Sequence, residues 1–168
     1  MLSVLIAAFA LLMLISAFYD AATMTIPNWI SAALVGVFVL TAGLAGMGWH
    51  EVSLHLLTGL GALVFVVIMF AFGWIGGGDA KLFAAAALWM GWPDVLMFAA
   101  YAALAGGALT LFLLMARKYP MPAQLVSWRW SARLLKDGGD VPYGIGICAG
   151  ALIMLPDTSL FLTAFAGG

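Results

Sequence analysis

The sequence predicts an all-α membrane protein with about six transmembrane helices, and three observations lead to that fold class. Hydrophobic residues make up 66% of the 168 positions and charged residues only 8%, whereas ordinary soluble domains are roughly a quarter charged. The apolar residues fall into long runs, and a helix needs about 20 of them to cross a bilayer. Short polar or glycine-rich stretches separate the runs. We therefore expect one membrane-embedded domain over residues 1–168.

The apolar runs define the expected helices in chain order. They cover 2–19, 29–47, 54–74, 80–91, 95–116 and 141–163. The first run contains no Lys or Arg, so it lacks the basic region of a cleavable signal and is expected to stay as a membrane helix. The fourth run spans only about 18 Å at 1.5 Å per residue, which makes it the weakest of the predicted crossings.

The segment 117–140, between the fifth and sixth predicted helices, carries five of the six basic residues of the chain. Arg129, Arg133 and Lys136 recur at helical spacing beside apolar residues, which predicts a basic amphipathic helix on the membrane surface that contacts anionic lipid. Basic loops stay in the cytoplasm. Counting back through the helices then places Asp20 and Asp79 at the cytoplasmic side and the N-terminus outside.

Most of the other polar residues have structural interpretations. His50 and His55 are expected to anchor helix ends at the outer interface, and together with Glu51 they do not match a known metal-ligand spacing. The single cysteine excludes a cysteine-cluster site. Asp94 and Asp140 each precede a predicted helix, where an acid caps free backbone N–H groups. The sequence thus predicts no metal, no cofactor and no nucleic-acid partner.

Asp20 and Asp79 fit structural roles less well. Asp20 lies at the C-terminal end of the first predicted helix, where the helix dipole disfavours an acid. The alternative is a polar residue that simply ends the helix at the membrane interface. Asp79 follows Gly76-Gly77-Gly78, which break the helix and allow either close backbone approach or a positive φ; a cap of the fourth helix is its alternative. Non-helical backbone at membrane depth lies in protein or lines a wet cavity, and an acid there is a functional candidate.

Two carboxylates at the same side of the membrane can form a catalytic pair. Held close in partly desolvated surroundings, they cannot both ionise easily, and they share a proton. The ionised member can then draw a proton from water while the protonated member polarises a scissile carbonyl. Intramembrane acids suit ion transfer equally well. A small ion- or proton-coupled transporter subunit that uses Asp20 and Asp79 as a relay is therefore the alternative, and a structural assembly subunit is a third.

Three motifs resemble those of the type IV prepilin peptidase family, aspartyl peptidases of the GxGD class. Residues 76–82, Gly-Gly-Gly-Asp-Ala-Lys-Leu, are similar to the second-aspartate motif of that family. Asp20, followed by Ile26-Pro27-Asn28, resembles the first-aspartate motif, and Val-Pro-Tyr-Gly-Ile at 141–145 resembles the segment that opens the last helix. The resemblance implies that Asp20 and Asp79 are the catalytic pair and that Gly76 and Gly78 shape the loop.

The resemblance also implies a substrate and a location. The family removes a short basic leader from prepilin-like precursors at the cytoplasmic face of the bacterial inner membrane, commonly after a glycine. Bifunctional members carry a large cytoplasmic domain after the first helix and also N-methylate the new terminus. Here only seven residues separate Asp20 from Asn28, so methyltransferase activity is not expected. The chain resembles the small peptidase-only kind that serves tight-adherence (Flp-type) pili, although the loop lacks the basic residues often found there.

Pro27, Asn28 and Lys81 lie within these motifs and complete the predicted site as residues that shape the loop or contact substrate. Pro27 is expected to set the entry of the second helix. Lys81 is interpreted as an anchor whose charged end reaches the interface, with tuning of the Asp79 carboxylate as the functional alternative.

Overall fold

The computed structural model describes residues 1–118, 133–136 and 139–165. In this part of the chain the regular structure is entirely helical, which confirms the predicted fold class. The helices with described bounds are α1 (Leu2–Thr23), α2 (Asn28–Leu44), α3 (Trp49–Ala71), α4 (Gly77–Met90), α5 (Asp94–Ala116), α6 (Tyr143–Met154) and, after a 3₁₀ turn at Leu155–Asp157, α7 (Ser159–Phe165).

The predicted count of about six membrane-spanning helices is not confirmed. Among the described residues, α1, α3 and α5 are long and apolar enough to span a bilayer, and α6 with α7 makes a fourth span if the two count as one, bent by 52°. The bend occurs at the turn that contains Pro156, which cannot donate a helical hydrogen bond. The predicted sixth helix over 141–163 is therefore broken.

α4 is the central helix of the bundle. It has 14 residues, which at about 1.5 Å per residue gives roughly 21 Å, short of the roughly 30 Å hydrocarbon core. Nine of those residues are buried, and four of the nine are the consecutive alanines 84–87. Small side chains let neighbouring helices approach closely, and α4 packs against α2, α3, α5 and α6.

The largest buried side chain of α4 is Trp89, which is 1% exposed. Its ring centroid lies 4.6 Å from that of Phe9 on α1 and 5.9 Å from that of Phe38 on α2. Its Nε1–H donates a hydrogen bond of 2.9 Å to the Leu34 oxygen. Trp89 therefore ties α4 to both of the first two helices while its polar atom stays satisfied.

α6 lies against α5 with the two backbones almost in contact. A methyl group added at Gly150 would lie 2.5 Å from the Ala102 nitrogen, and one added at Gly146 would lie 2.7 Å from the Gly106 nitrogen. Small residues at a spacing of four allow this close packing of membrane helices. The contact fixes the position at which α6 begins.

Two predicted boundaries near polar residues shift by about one turn of roughly 3.6 residues. α1 continues past the predicted end at residue 19 to Thr23, so Asp20 lies inside its last turn. Residues 49–53, predicted to separate two helices, form the first turn of α3. There Glu51 Oε2 accepts a hydrogen bond of 3.3 Å from the Gly48 N–H, so the polar residues begin a helix.

The capping roles predicted for Asp94 and Asp140 are wrong. Asp94 is already the first residue of α5, and Pro93 occupies the N-cap position without a side-chain hydrogen bond. Asp140 lies two residues before Pro142, which is the N-cap of α6 and also makes no such bond. A capping side chain belongs to the residue that immediately precedes the helix, and neither acid is placed there.

The predicted basic amphipathic helix within 117–140 lies mostly outside the described residues. Arg117 follows α5 and donates hydrogen bonds of 2.8 to 2.9 Å to three backbone oxygens, those of Leu134, Gly139 and Asp140. Arg133 Nη1 donates one of 3.2 Å to the Ala22 oxygen in the last turn of α1. Two basic side chains thus lie at the end of the bundle where α1 ends.

Candidate active site

Asp20 occupies the last turn of α1 and is only 5% exposed. Its Oδ2 accepts a hydrogen bond of 2.7 Å from the Gly144 N–H. Gly144 is the second residue of α6, and the first N–H groups of a helix have no partner within it. The start of the last described long helix therefore supplies a donor to the carboxylate at the end of the first.

Asp79 lies in the first turn of α4. Its Oδ1 is buried and has no hydrogen-bond partner among the described residues. Unpaired buried polar atoms are rare in proteins and call for an explanation.

Both carboxylates line one cavity of about 340 Å³. Besides the two aspartates, its walls come from the turn after α1, the α3–α4 connection and the approach to α6, with the residues Met24, Gly73, Trp74, Ile75, Gly76, Asp140, Val141 and Tyr143. The predicted shared location of Asp20 and Asp79 therefore agrees with the structure. Two carboxylates in such a cavity can share a proton and act as a general acid and a general base.

The glycines before Asp79 allow other atoms to approach the backbone closely, and they do not adopt positive φ angles. A methyl group added at Gly76 would lie 2.9 Å from Asp79 Oδ2, and one added at Gly78 would lie 3.2 Å from the Ile26 Cβ. The positive φ in this connection is at Gly73, with a φ of 74°. The two possibilities that the sequence left open are thus resolved for the motif glycines: they make room for the carboxylate and for the α1–α2 connection.

Pro27, Asn28 and Lys81 do not line this cavity. Pro27 is the N-cap residue of α2, as its expected role in helix entry requires. Lys81 is exposed, and its Nζ donates a hydrogen bond of 2.9 Å to Asn28 Oδ1. This bond ties α4 to the start of α2, so Lys81 is placed as a structural link.

Sequence reasoning missed the closest partner of the pair, Gly144. A methyl group added there would lie 2.8 Å from Asp20 Oδ2 and 2.9 Å from Ile26 Cδ1. The available signal was the stretch Val-Pro-Tyr-Gly-Ile at 141–145, in which a glycine follows shortly after a proline that can begin a helix. That signal predicts where a helix starts. It does not indicate which side chain accepts the hydrogen bond from the unpaired N–H at that start.

His55, predicted to anchor a helix end at the outer interface, packs inside the bundle against α4. His55 is 7% exposed, and its Nδ1–H donates to the Leu88 oxygen at 2.8 Å. His50 is exposed, in the first turn of α3. Within the described ranges, no group of three or more His, Cys, Asp or Glu residues is arranged to hold a metal ion.

Comparison with known proteins identifies a family. The family model described as the type IV leader peptidase family matches residues 7–111. This range is more than half of the chain and contains both aspartates and the glycine run, although it ends before α6. Neither the curated proteins nor the solved structures gave a match. The chain, which resembled this family in its motifs, belongs to the type IV leader peptidase family.

Proposed function

We propose that the protein is an aspartyl endopeptidase in which Asp20 and Asp79 are the catalytic pair. The observation that carries the proposal is the single cavity lined by both carboxylates, from the last turn of α1 and the first turn of α4. The buried Asp79 Oδ1, without a partner in the described part of the chain, supports it. A polar atom of this kind suits a site where water and substrate supply the missing hydrogen bonds.

We assign the two carboxylates different roles. Asp20 accepts the Gly144 N–H at 2.7 Å, and a hydrogen bond of this kind favours the charged form of a carboxylate. One oxygen of Asp79, Oδ1, is buried without a donor among the described residues, and on this ground we place the shared proton on Asp79. Asp20 is then the general base and Asp79 the general acid.

In the proposed reaction, a water oxygen attacks the scissile carbonyl carbon while one water proton passes to Asp20. The Asp79 proton hydrogen-bonds to the carbonyl oxygen and stabilises the charge that develops there. The proton that Asp20 took from water then passes to the amide nitrogen, and the carbon–nitrogen bond breaks as the carbonyl re-forms. A carboxylic acid and an amine leave, with Asp20 ionised and Asp79 protonated as at the start. The cavity residues supply every proton transfer in this scheme.

The proposed substrate is a prepilin-like precursor, from which the enzyme removes a basic leader that precedes an apolar segment. We place the cavity at the cytoplasmic face of the bacterial inner membrane. Arg117 and Arg133 lie at the same end of the bundle as the aspartates, and basic residues favour the cytoplasmic side. Contact of the 117–140 segment with anionic lipid is part of the same proposal.

We further propose a peptidase without methyltransferase activity, of the small kind that serves tight-adherence pili. α1 ends at Thr23 and α2 begins at Asn28. The short connection between them supports this assignment, because the bifunctional members insert a large domain there.

The test is cleavage of a prepilin-like precursor by the purified protein in detergent. Asp20→Asn and Asp79→Asn each preserve the side-chain shape and remove an ionisable oxygen, and each is expected to abolish cleavage. Asp94→Asn is the matched control, because Asp94 begins α5 at the other end of α4 and does not line the cavity. Full activity of either cavity variant would refute the proposal.

A further inference from the structure

α3 rests on α4 along a narrow stripe and leaves a cleft on each side. Its buried residues are His55 and Val66, and between them Gly59 allows close contact, since a methyl group there would lie 3.0 Å from the Leu88 Cβ. One cleft, of about 570 Å³, lies between α3 and α5, and the other, of about 400 Å³, lies between α2 and α3. We refer to them as the α3/α5 cleft and the α2/α3 cleft.

The two clefts open on opposite faces of α4. Phe83 lines the α3/α5 cleft, and it follows Asp79 by four residues, which places both on the same helix face one turn apart. Lys81 and Leu88 line the α2/α3 cleft and point away from Asp79 at a spacing of about 100° per residue. The α3/α5 cleft therefore continues the face of α4 that carries a carboxylate of the pair.

The α3/α5 cleft is lined by apolar side chains and small residues. One wall is a single face of α3, and the other consists of the start of α5 and Trp92, two residues before it, with Phe83 as the floor. The lining residues include Leu57, Gly61, Phe65, Phe83, Trp92 and Ala99. A Cβ at Gly61 would meet nothing within 4 Å. The cleft can thus accept a helix at short distance, as small residues allow between membrane helices.

We propose that the α3/α5 cleft binds the apolar helix that follows the scissile bond of the substrate. The inference rests on the proposed function and adds the place where the substrate is held. The α4 residue in the cleft is Phe83, one turn from Asp79, and from Phe83 to Trp92 the cleft runs roughly 14 Å at 1.5 Å per residue. An apolar helix in it would have its first residues about one turn of α4 from Asp79 and its continuation deeper in the bilayer. A segment in the α2/α3 cleft would have α4 between itself and Asp79.

The first test is crosslinking from the two clefts. A photoreactive residue at Leu57 in the α3/α5 cleft is expected to crosslink to the apolar segment of a full precursor bound to the inactive Asp79→Asn variant. The same residue at Leu63, which lines the α2/α3 cleft and lies about 120° around α3 from Leu57, is the matched control and is expected to give much less product. Equal or stronger crosslinking from Leu63, or labelling of lipid alone from Leu57, would overturn the proposal.

The second test separates docking from chemistry with two substrates. Gly61→Leu fills the α3/α5 cleft and is expected to raise KM for the full precursor about tenfold with kcat unchanged, because the added side chain occupies the space of the docked helix. Cleavage of a short peptide that contains the scissile bond but no apolar segment should not change. Gly36→Leu is the matched control, since Gly36 is exposed on α2 and also has nothing within 4 Å.

The outcomes distinguish this inference from the proposed function. If Gly61→Leu leaves KM for the full precursor unchanged while Asp79→Asn is inactive, the docking site is wrong and the catalytic pair stands. If Asp79→Asn cleaves both substrates, the catalytic assignment itself fails. A loss of activity on both substrates with Gly61→Leu would show that the cleft supports the fold and would also contradict the docking role.

Discussion

The two ends of α4 differ in whether their buried polar groups have hydrogen-bond partners. At the C-terminal end, the Leu88 oxygen accepts the His55 Nδ1–H and Trp89 Nε1 donates to a backbone oxygen. At the N-terminal end, Asp79 Oδ1 is buried and has no hydrogen-bond partner among the described residues. Folded proteins satisfy buried polar groups and depart from this rule at functional sites. The same short helix thus has one end that holds the bundle together and one that carries a carboxylate of the proposed catalytic pair.

This contrast predicts that changes at the N-terminal end reduce activity and that changes at the C-terminal end reduce stability. The largest expected effect comes from the carboxylates. Asp20→Asn and Asp79→Asn should each lower kcat by about a thousandfold or more, and the double variant should be no worse than either single one, because residues that act as a unit are not additive. Single-turnover cleavage in detergent measures all three. Independent, multiplying losses would mean that the carboxylates do not act as a pair.

Gly144 gives the next largest expected effect. In Gly144→Ala the new methyl group would lie 2.8 Å from Asp20 Oδ2, and the resulting displacement of a catalytic group is expected to lower kcat about a hundredfold. Gly107→Ala, on α5 with nothing within 4 Å, should retain full activity. A variant with an ester in place of the Tyr143–Gly144 amide removes the N–H without adding an atom. It should lower kcat with KM unchanged; unaltered kcat would show that the donor only supports the fold.

A stability effect is expected at the other end of α4. His55→Ala leaves the Leu88 oxygen without its donor, and we expect a cost of about 2 kcal/mol in the free energy of unfolding. Thermal unfolding in detergent measures this loss, and cleavage below the lowered midpoint should proceed at nearly the normal rate. A large loss of kcat at full stability would break the proposed division between the two ends.

The smallest expected effect is that of Lys81→Met. Lys81 is exposed and bonded to Asn28, and exposed charged contacts contribute little, so kcat should change by about twofold or less. A tenfold or larger loss would restore the alternative in which this cation tunes the Asp79 carboxylate. The pH dependence of kcat, compared between the wild type and the variant, would then show a displaced profile.

The sequence was informative where the bilayer imposes a pattern. Long apolar runs predicted the helices, and the order of the motifs around Asp20 and Asp79 predicted the family. It was less informative where position depends on neighbours. The alanines of α4 show no preferred face, so nothing in them indicates burial at the centre of the bundle in place of a span. His55 gave no sequence signal of burial either. The oxygen that accepts its hydrogen bond belongs to the backbone of a residue 33 positions away.

The glycines of α6 give the last helix an influence at a distance. Gly146 and Gly150 bring its backbone against α5 with no space for a methyl group, so a larger residue at either position must move α6 away from α5. Gly144 is part of α6 and would move with it. Its hydrogen bond of 2.7 Å to Asp20 would lengthen with such a movement. The alignment of the two carboxylates therefore depends on residues two and six positions further along α6, which do not line the cavity.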